Sequence, residues 1–382
     1  MKSLRWSWPI LAATMAFLIP RVCYEMRPEL RLELRVLDKT VPFRNWYEHR
    51  SLYWLLTHLN VVKADGAGYA FATDYLGAYP PAVPGDPPER TRDLTDHDVS
   101  GARLIYLADT YGVYRDDLKS GVRMEAALER SPKIYGGTTL DEARAAAAAV
   151  SSGKTVVAEF NTLGSPTGAD ARETLEAALG VRWTRWIGRY FARLEDVSEV
   201  PQWMRDDYER ELKRPWRFEG PGYVLMQDDA HCEVLRVGFE TATIGLTIER
   251  ELPVDAHLGR AADGVPYPYW FDVIVAAPEA KRLASFVWHL NHDGRERLKA
   301  RGLPEHFPAV TRRATPRGGA AWYFAGDFAD NPMDPRPVPF VGYLGFRRLV
   351  EGLKWAPSES AFYWRFYVPM METILTDAGT TR

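Results

Sequence analysis

Three stretches of this chain deliver acid, hydroxyl and amide groups directly after an apolar run. Arg103–Ala108 is followed by Asp109, Thr110 and Tyr111, with Tyr114 close behind. Leu32–Leu37 runs into Asp38, Lys39 and Thr40. Thr155–Phe160 carries Glu159 and runs into Asn161 and Thr162. If the three runs are neighbouring strands, Asp38, Asp109 and Glu159 converge on one sheet edge. In open α/β sheets, ligands bind outside the carboxyl ends of the strands. A carboxyl pair suits glycoside hydrolysis, with one group protonated as general acid and the other ionised as base or nucleophile. The two stand about 5 Å apart for retention and ~6.5–9.5 Å for inversion. Tyr111, Tyr114 and Trp183 or Trp186 offer stacking walls for a sugar. Thr110, Asn161, Thr162 and His49 complete the polar set. Each acid also has a plainer role open to it, capping a helix or fixing a turn.

The elements that must position these residues alternate. Arg31–Leu37 reads as the first strand, and Glu48–Asn60 as a helix with Leu52, Leu55, Leu56 and Leu59 on one face. Glu48 and His49 fall in its first turn. Asp65–Gly101 is a long irregular stretch with a Pro-rich half. Asp116–Arg130 is a helix of mixed polarity. Thr138–Ser151 is a clearer helix, with a threonine cap, Asp141 and Glu142 at its start and Gly153 after it. Lys154–Phe160 is a buried strand, and Gly168–Leu179 a helix ended by Gly180. This order argues for a parallel sheet with covering helices. Beyond it, Tyr223–Met226, Cys232–Val237, Thr243–Ile248, Phe271–Ala276, Ala284–Trp288 and Ala320–Phe324 look like strands without long helices between them. They predict a β-rich extension, with closing helices over Gly345–Leu353 and Glu359–Leu375.

A chain of 382 residues can bury a large core, and 46% hydrophobic with 26% charged residues is ordinary for a globular protein. A net charge of −3 gives no electrostatic reason for a nucleic-acid partner. The two cysteines, Cys23 and Cys232, make no disulfide framework. At the N-terminus, Lys2 and Arg5 precede an apolar run from Trp6 to Pro20, closed by Arg21. This reads as a signal anchor or signal peptide over residues 1–24. It predicts contact with the membrane through that segment and export of the bulk of the chain to the periplasm.

Familiar catalytic motifs are missing: GxGxxG at a strand–helix junction, GxxxxGK[ST] and the GxSxG elbow. No cofactor is expected. His289 and His292 with Asp293 are the closest approach to a metal cluster, and would define a metal-dependent hydrolase if they met. Asp327 and Asp330 in Gly326-Asp327-Phe328-Ala329-Asp330 read first as turn residues, closed by Asn331-Pro332.

The strand–turn–helix series, with Thr155–Phe160 leading to a polar elbow at Asn161, resembles the class I glutamine amidotransferase-like domain over roughly residues 30–240. That resemblance implies a flavodoxin-like fold with a Cys nucleophile at the elbow. Here the elbow reads Glu159-Phe160-Asn161-Thr162, which implies a member without amidotransferase activity. The layout is also similar to exported bacterial proteins associated with exopolysaccharide systems. The stretches that carry this likeness are Leu37-Asp38-Lys39-Thr40-Val41-Pro42, Glu48-His49, Asp109-Thr110-Tyr111-Gly112-Val113-Tyr114 and Gly326-Asp327-Phe328-Ala329-Asp330.

The expectation is therefore an α/β protein: a parallel flavodoxin-like sheet with covering helices over residues 30–240, and a β-rich extension with closing C-terminal helices over 241–382. Its partner would be polysaccharide or oligosaccharide. It would act as a glycoside hydrolase using Asp109 and Glu159 with Asp38 beside them, or serve as a non-catalytic accessory subunit among exopolysaccharide-machine proteins.

Overall fold

The computed structural model describes residues 4–120, 131–228, 231–331, 339–353 and 359–380. The protein is α/β, with helices on a large mixed sheet and further β-rich regions. Ten of the described strands form one sheet. In order they are Val265–Pro266, Thr241–Arg250, Lys281–Leu290, His306–Ala314, Ala320–Phe324, Thr155–Ala158, Leu104–Asp109, Leu34–Asp38, Leu76–Tyr79 and Arg90–Arg92. The run from Ala320–Phe324 to Leu76–Tyr79 is parallel throughout, and the strands on either side of it are antiparallel. The parallel strands are apolar and buried on both faces, as helix-covered parallel strands must be. Their common direction brings the carboxyl ends of Leu34–Asp38, Leu104–Asp109, Thr155–Ala158 and Ala320–Phe324 to one edge.

The later strands extend this same sheet. Gly222–Gln227, His231–Arg236 and Phe271–Ala276 are the exceptions. Phe271–Ala276 pairs with Val181–Phe191 in a second, four-stranded antiparallel sheet, with Gly222–Gln227 and His231–Arg236 completing it. Helix Gln202–Leu212 closes a small separate core there, with Met204 and Tyr208 against Phe191, Val224 and Cys232.

Helix Leu140–Ser151 shows how local signals position the edge. Thr139 caps it, its hydroxyl accepting from the Glu142 amide, while Glu142 returns to the Thr139 amide at 2.8 Å. The same Glu142 binds the Lys39 ammonium at 2.6 Å. Both side chains are 1% exposed, and Gly137 O takes a further Lys39 hydrogen at 3.1 Å. Lys39 therefore fastens the end of the Leu34–Asp38 strand to this helix. Gly77 lies at φ 120°, with its α-carbon so close to the Asp38 carbonyl that a Cβ would fall 1.7 Å from it. Only glycine fits beside that strand end.

Some expectations need correction. The irregular stretch Asp65–Gly101 holds strands Leu76–Tyr79 and Arg90–Arg92 and the capped helix Asp96–Gly101. Of the helix expected over Asp116–Arg130, Asp117–Ser120 is helical, and 121–130 lie outside the described residues. The N-terminal run is helix Leu4–Glu25, but among the described residues no helix is long and apolar enough to cross a membrane. The Tyr24 hydroxyl near its end donates to the Thr57 carbonyl, and Arg21 donates to the Pro339 carbonyl at 2.9 Å.

Removing Glu142 leaves Lys39 buried with only the half-exposed Asp93 as counter-charge. Glu142→Gln is expected to lower unfolding free energy by about 3 kcal/mol, at the lower end for a broken buried pair. Urea unfolding measures it, and a loss below ~1 kcal/mol would show that the pair is not what holds this strand end.

Candidate functional site

The strand-end acids do converge, and two further segments join them. Asp38 and Asp109 end adjacent strands and pair across a register shift that follows Leu37. Helix Tyr47–His58 contributes Glu48, and the turn after Ala320–Phe324 contributes Asp327 and Asp330. Asp38, Glu48, Asp109, Glu159 and Asp327 are all buried, while Asp330 is half-buried.

Asp109 is held from three sides. Its Oδ1 accepts from the Thr40 hydroxyl at 2.5 Å and the Tyr111 amide at 2.6 Å, and its Oδ2 accepts from Asn161 Nδ2 at 3.1 Å. Burial pushes its pKa from 3.8 up to about 7, against the pull of the Thr40 and Asn161 hydrogen bonds, with Asp38 pushing the same way. A carboxyl that titrates near neutrality suits proton transfer. Asn161 sits at φ 64°, the left-handed conformation that asparagine tolerates better than most residues. This sharp turn aims its amide back at Asp109, and its carbonyl accepts from the Thr110 hydroxyl at 3.0 Å.

Tyr111 and Tyr114, both half-buried, stack with ring centroids 4.7 Å apart. They lie on a tight loop. At Gly112 (φ 109°) a Cβ would fall 2.5 Å from the Gly136 Cα, and at Gly136 (φ 144°) 2.6 Å from the Gly112 Cα.

Four of the expected residues have other work. Glu159 is fully buried. Its Oε1 accepts from the Tyr106 hydroxyl, and its Oε2 accepts from the Phe328 and Ala329 amides at 3.1 Å each. Tyr106 in turn meets the Tyr367 hydroxyl at 2.9 Å, which ties the site to the π turn Tyr363–Tyr367 in the C-terminal helix. Burial lifts the Glu159 pKa to about 8, despite its Tyr106, Ala329 and Phe328 hydrogen bonds. With both oxygens hydrogen-bonded, Glu159 positions the Phe328–Ala329 turn. His49 has both ring nitrogens engaged, Nδ1 with Asp38 Oδ2 at 2.5 Å and Nε2 with the Phe71 carbonyl at 2.9 Å. It carries no exposed surface, so it orients Asp38 rather than meeting a ligand. Thr162 is buried and donates to the Glu159 carbonyl at 2.6 Å. Trp183 is buried, with its indole N–H donated to the Trp186 carbonyl at 3.1 Å, and it offers no open stacking face.

From sequence, Asp327 and Asp330 read first as turn residues with a ligand role as the lesser alternative, and Glu48 as a first-turn helix residue; the fold brings the three together. One oxygen of each lies within 4.8 Å of the other two, a spacing that could hold a metal ion. Burial, then Asp330 and Asp327, raise the Glu48 pKa well above the carboxylate range, and burial with Asp330 does the same for Asp327. The Gly326–Asp330 stretch looked like a turn because it is one; no local signal shows that it folds onto Glu48. Among the described residues, His289 and His292 belong to no group of three or more side chains with metal-ligand spacing. His289 Nε2 meets the Thr247 hydroxyl at 2.9 Å, and His292 opens helix His292–Ala300. Among the described residues, Glu48, Asp327 and Asp330 form the one group with metal-ligand spacing.

No family model and no curated protein matches this chain. Solved structures with some likeness include a cold-adapted β-galactosidase from Rahnella sp. R3, at 12% identity and TM-score 0.35, covering 90% of this chain and 31% of that one. A cytoplasmic protein from Salmonella typhimurium LT2 gives 12% identity and TM-score 0.36, covering 89% of this chain and 98% of that one. A ThuA-like protein from Parabacteroides merdae gives 10% identity and TM-score 0.37, covering 78% and 79%. The chain thus spans about a third of the length of the β-galactosidase it matches.

The raised Asp109 pKa has a consequence for stability. The folded carboxyl keeps its proton to about pH 7, whereas an ordinary one releases it near 3.8. The stability this group contributes is therefore full below the lower value and is lost as pH rises through the upper one. Asp109→Asn is expected to reduce the loss of unfolding free energy between about pH 4 and pH 8 by ~3 kcal/mol. Urea unfolding across that range measures it, and an unchanged slope would show that Asp109 ionises normally in the fold.

Proposed function

We propose that the carboxyl edge of the sheet is a carbohydrate site, and that the chain acts on or binds polysaccharide there. The observation that carries this reading is Asp109. Its carboxyl is fixed by Thr40, Tyr111 and Asn161, is tuned close to neutrality, and lies beside the stacked Tyr111–Tyr114 pair. In glycosidic cleavage Asp109 gives its proton to the departing glycosidic oxygen as water adds to the anomeric carbon, and it regains a proton from that water through solvent, with a pKa that suits this exchange at neutral pH. Tyr111 and Tyr114 present half-exposed aromatic surface, the kind of platform on which the apolar face of a sugar ring packs. Glu159 keeps the facing turn in place.

A second reading is favoured by the elbow. Where the resemblance implies a Cys nucleophile, Asn161 spends its amide on Asp109. On this reading the core is amidotransferase-like without its nucleophile, and the chain is an accessory subunit of an exopolysaccharide or envelope machine that holds glycan without cleaving it. Export through the N-terminal segment belongs to both readings, and cell fractionation tests it.

The deciding experiment exposes the purified chain to a panel of bacterial exopolysaccharides and their oligosaccharides, following binding by saturation-transfer NMR and cleavage by reducing-end release. With a cleaved ligand, Asp109→Asn is expected to remove turnover while leaving affinity within about threefold. Tyr111→Ala is expected to weaken binding by about tenfold. Binding without cleavage selects the accessory reading. No binding to any glycan would end both.

A further inference from the structure

We propose that Glu48, Asp327 and Asp330 form a binding site for one hard divalent cation of the calcium or magnesium kind. One oxygen of each carboxyl lies within 4.8 Å of the others. Glu48 and Asp327 are 8% and 6% exposed, and the half-buried Asp330 provides the way in.

Glu48 Oε2 is buried and accepts no hydrogen bond. A buried carboxylate oxygen without a donor forfeits its hydration for nothing in return. Its neighbours make matters worse, since Asp327 and Asp330 are acceptors when ionised and bring like charge. The Arg189 guanidinium, whose field draws the Asp327 pKa down, lies over the Phe191 and Trp270 rings, 5.2 Å and 5.4 Å from their centroids. A cation among the three carboxylates supplies the missing partner for Glu48 Oε2 and cancels the repulsion. The donor set is all oxygen, which suits calcium, magnesium or manganese, not zinc or copper.

The ligands are also held before any ion arrives. Glu159 Oε2 accepts the Phe328 and Ala329 amides, the Asp327 amide donates to the Trp270 carbonyl at 3.0 Å, and the Ser51 hydroxyl donates to the Ala329 carbonyl at 2.5 Å. Ser51 is on the same helix as Glu48, so the ion would reinforce a junction the fold already makes. This site needs no glycan, and its test is independent of the carbohydrate reading.

The test uses the full chain, stripped with a chelator and dialysed. It is titrated calorimetrically with calcium, magnesium and manganese chlorides, with thermal unfolding followed in each. The expected result is a saturable single-site isotherm for at least one of these ions and a rise in Tm with its concentration. Glu48→Gln, Asp327→Asn and Asp330→Asn are each expected to weaken binding at least tenfold. The amides match the uncharged acids that burial favours at Glu48 and Asp327, so without ion the variants should unfold no lower than the unsubstituted chain. That separates lost binding from lost folding, and Asp330, the most exposed of the three, is the variant least able to disturb the core. No heat and no Tm rise with any of the three ions would overturn the proposal, as would binding undiminished in all three variants.

Discussion

The structure is governed by the cost of burying carboxyl groups where four strands end. Parallel strands covered on both faces must be apolar along their length, so the chain can carry polar groups only where the strands stop. Here they stop together. Asp38, Asp109 and Glu159 follow or end their strands, and Glu48, Asp327 and Asp330 are brought up to meet them. Desolvation raises the pKa of Asp109, Glu48, Glu159 and Asp327 alike. An enzyme or binding protein keeps such an arrangement when the charge is used, because a stable fold would otherwise shed it.

The acids divide by how their oxygens are satisfied. Asp38 and Glu159 are saturated by the protein: Asp38 by the Thr40 amide and His49, Glu159 by Tyr106 and two backbone amides. They build the edge. Asp109 is fixed but lies beside half-exposed rings, and Glu48 keeps an oxygen without a donor. Glu48 is therefore the member with an unmet oxygen, whereas both Asp109 oxygens already accept hydrogen bonds. The cation assigned to Glu48, Asp327 and Asp330 and the proton carried by Asp109 are two answers to one electrostatic problem, placed side by side.

Much of this edge was legible in the sequence. The runs into Asp38, Asp109 and Asn161 are local signals, apolar strand followed by polar elbow, and the fold keeps them. The roles within the set were less legible. That Glu159 faces inward to two amides depends on a turn far along the chain. Asp327 and Asp330 look like turn residues because Gly326 and Asn331 surround them, and only the long-range pairing of Ala320–Phe324 with Thr155–Ala158 brings that turn to Glu48. The strand Val181–Phe191 is hard to read from sequence for a different reason. A bulge between Trp183 and Trp186, with Arg185 at φ 72°, breaks the two-residue alternation that would have revealed it. That hid the burial of Trp183, which a surface reading had taken for a sugar platform.

The most direct measurement of the central claim is a crystal structure of the chain soaked with short oligosaccharides drawn from bacterial exopolysaccharides. The account predicts sugar density over Tyr111 and Tyr114, with a hydroxyl or glycosidic oxygen within hydrogen-bond reach of Asp109. An edge that stays empty at saturating sugar, with every carboxyl closed off by backbone and side-chain donors, would contradict it and show that the acids are only the means by which the strand ends are fastened.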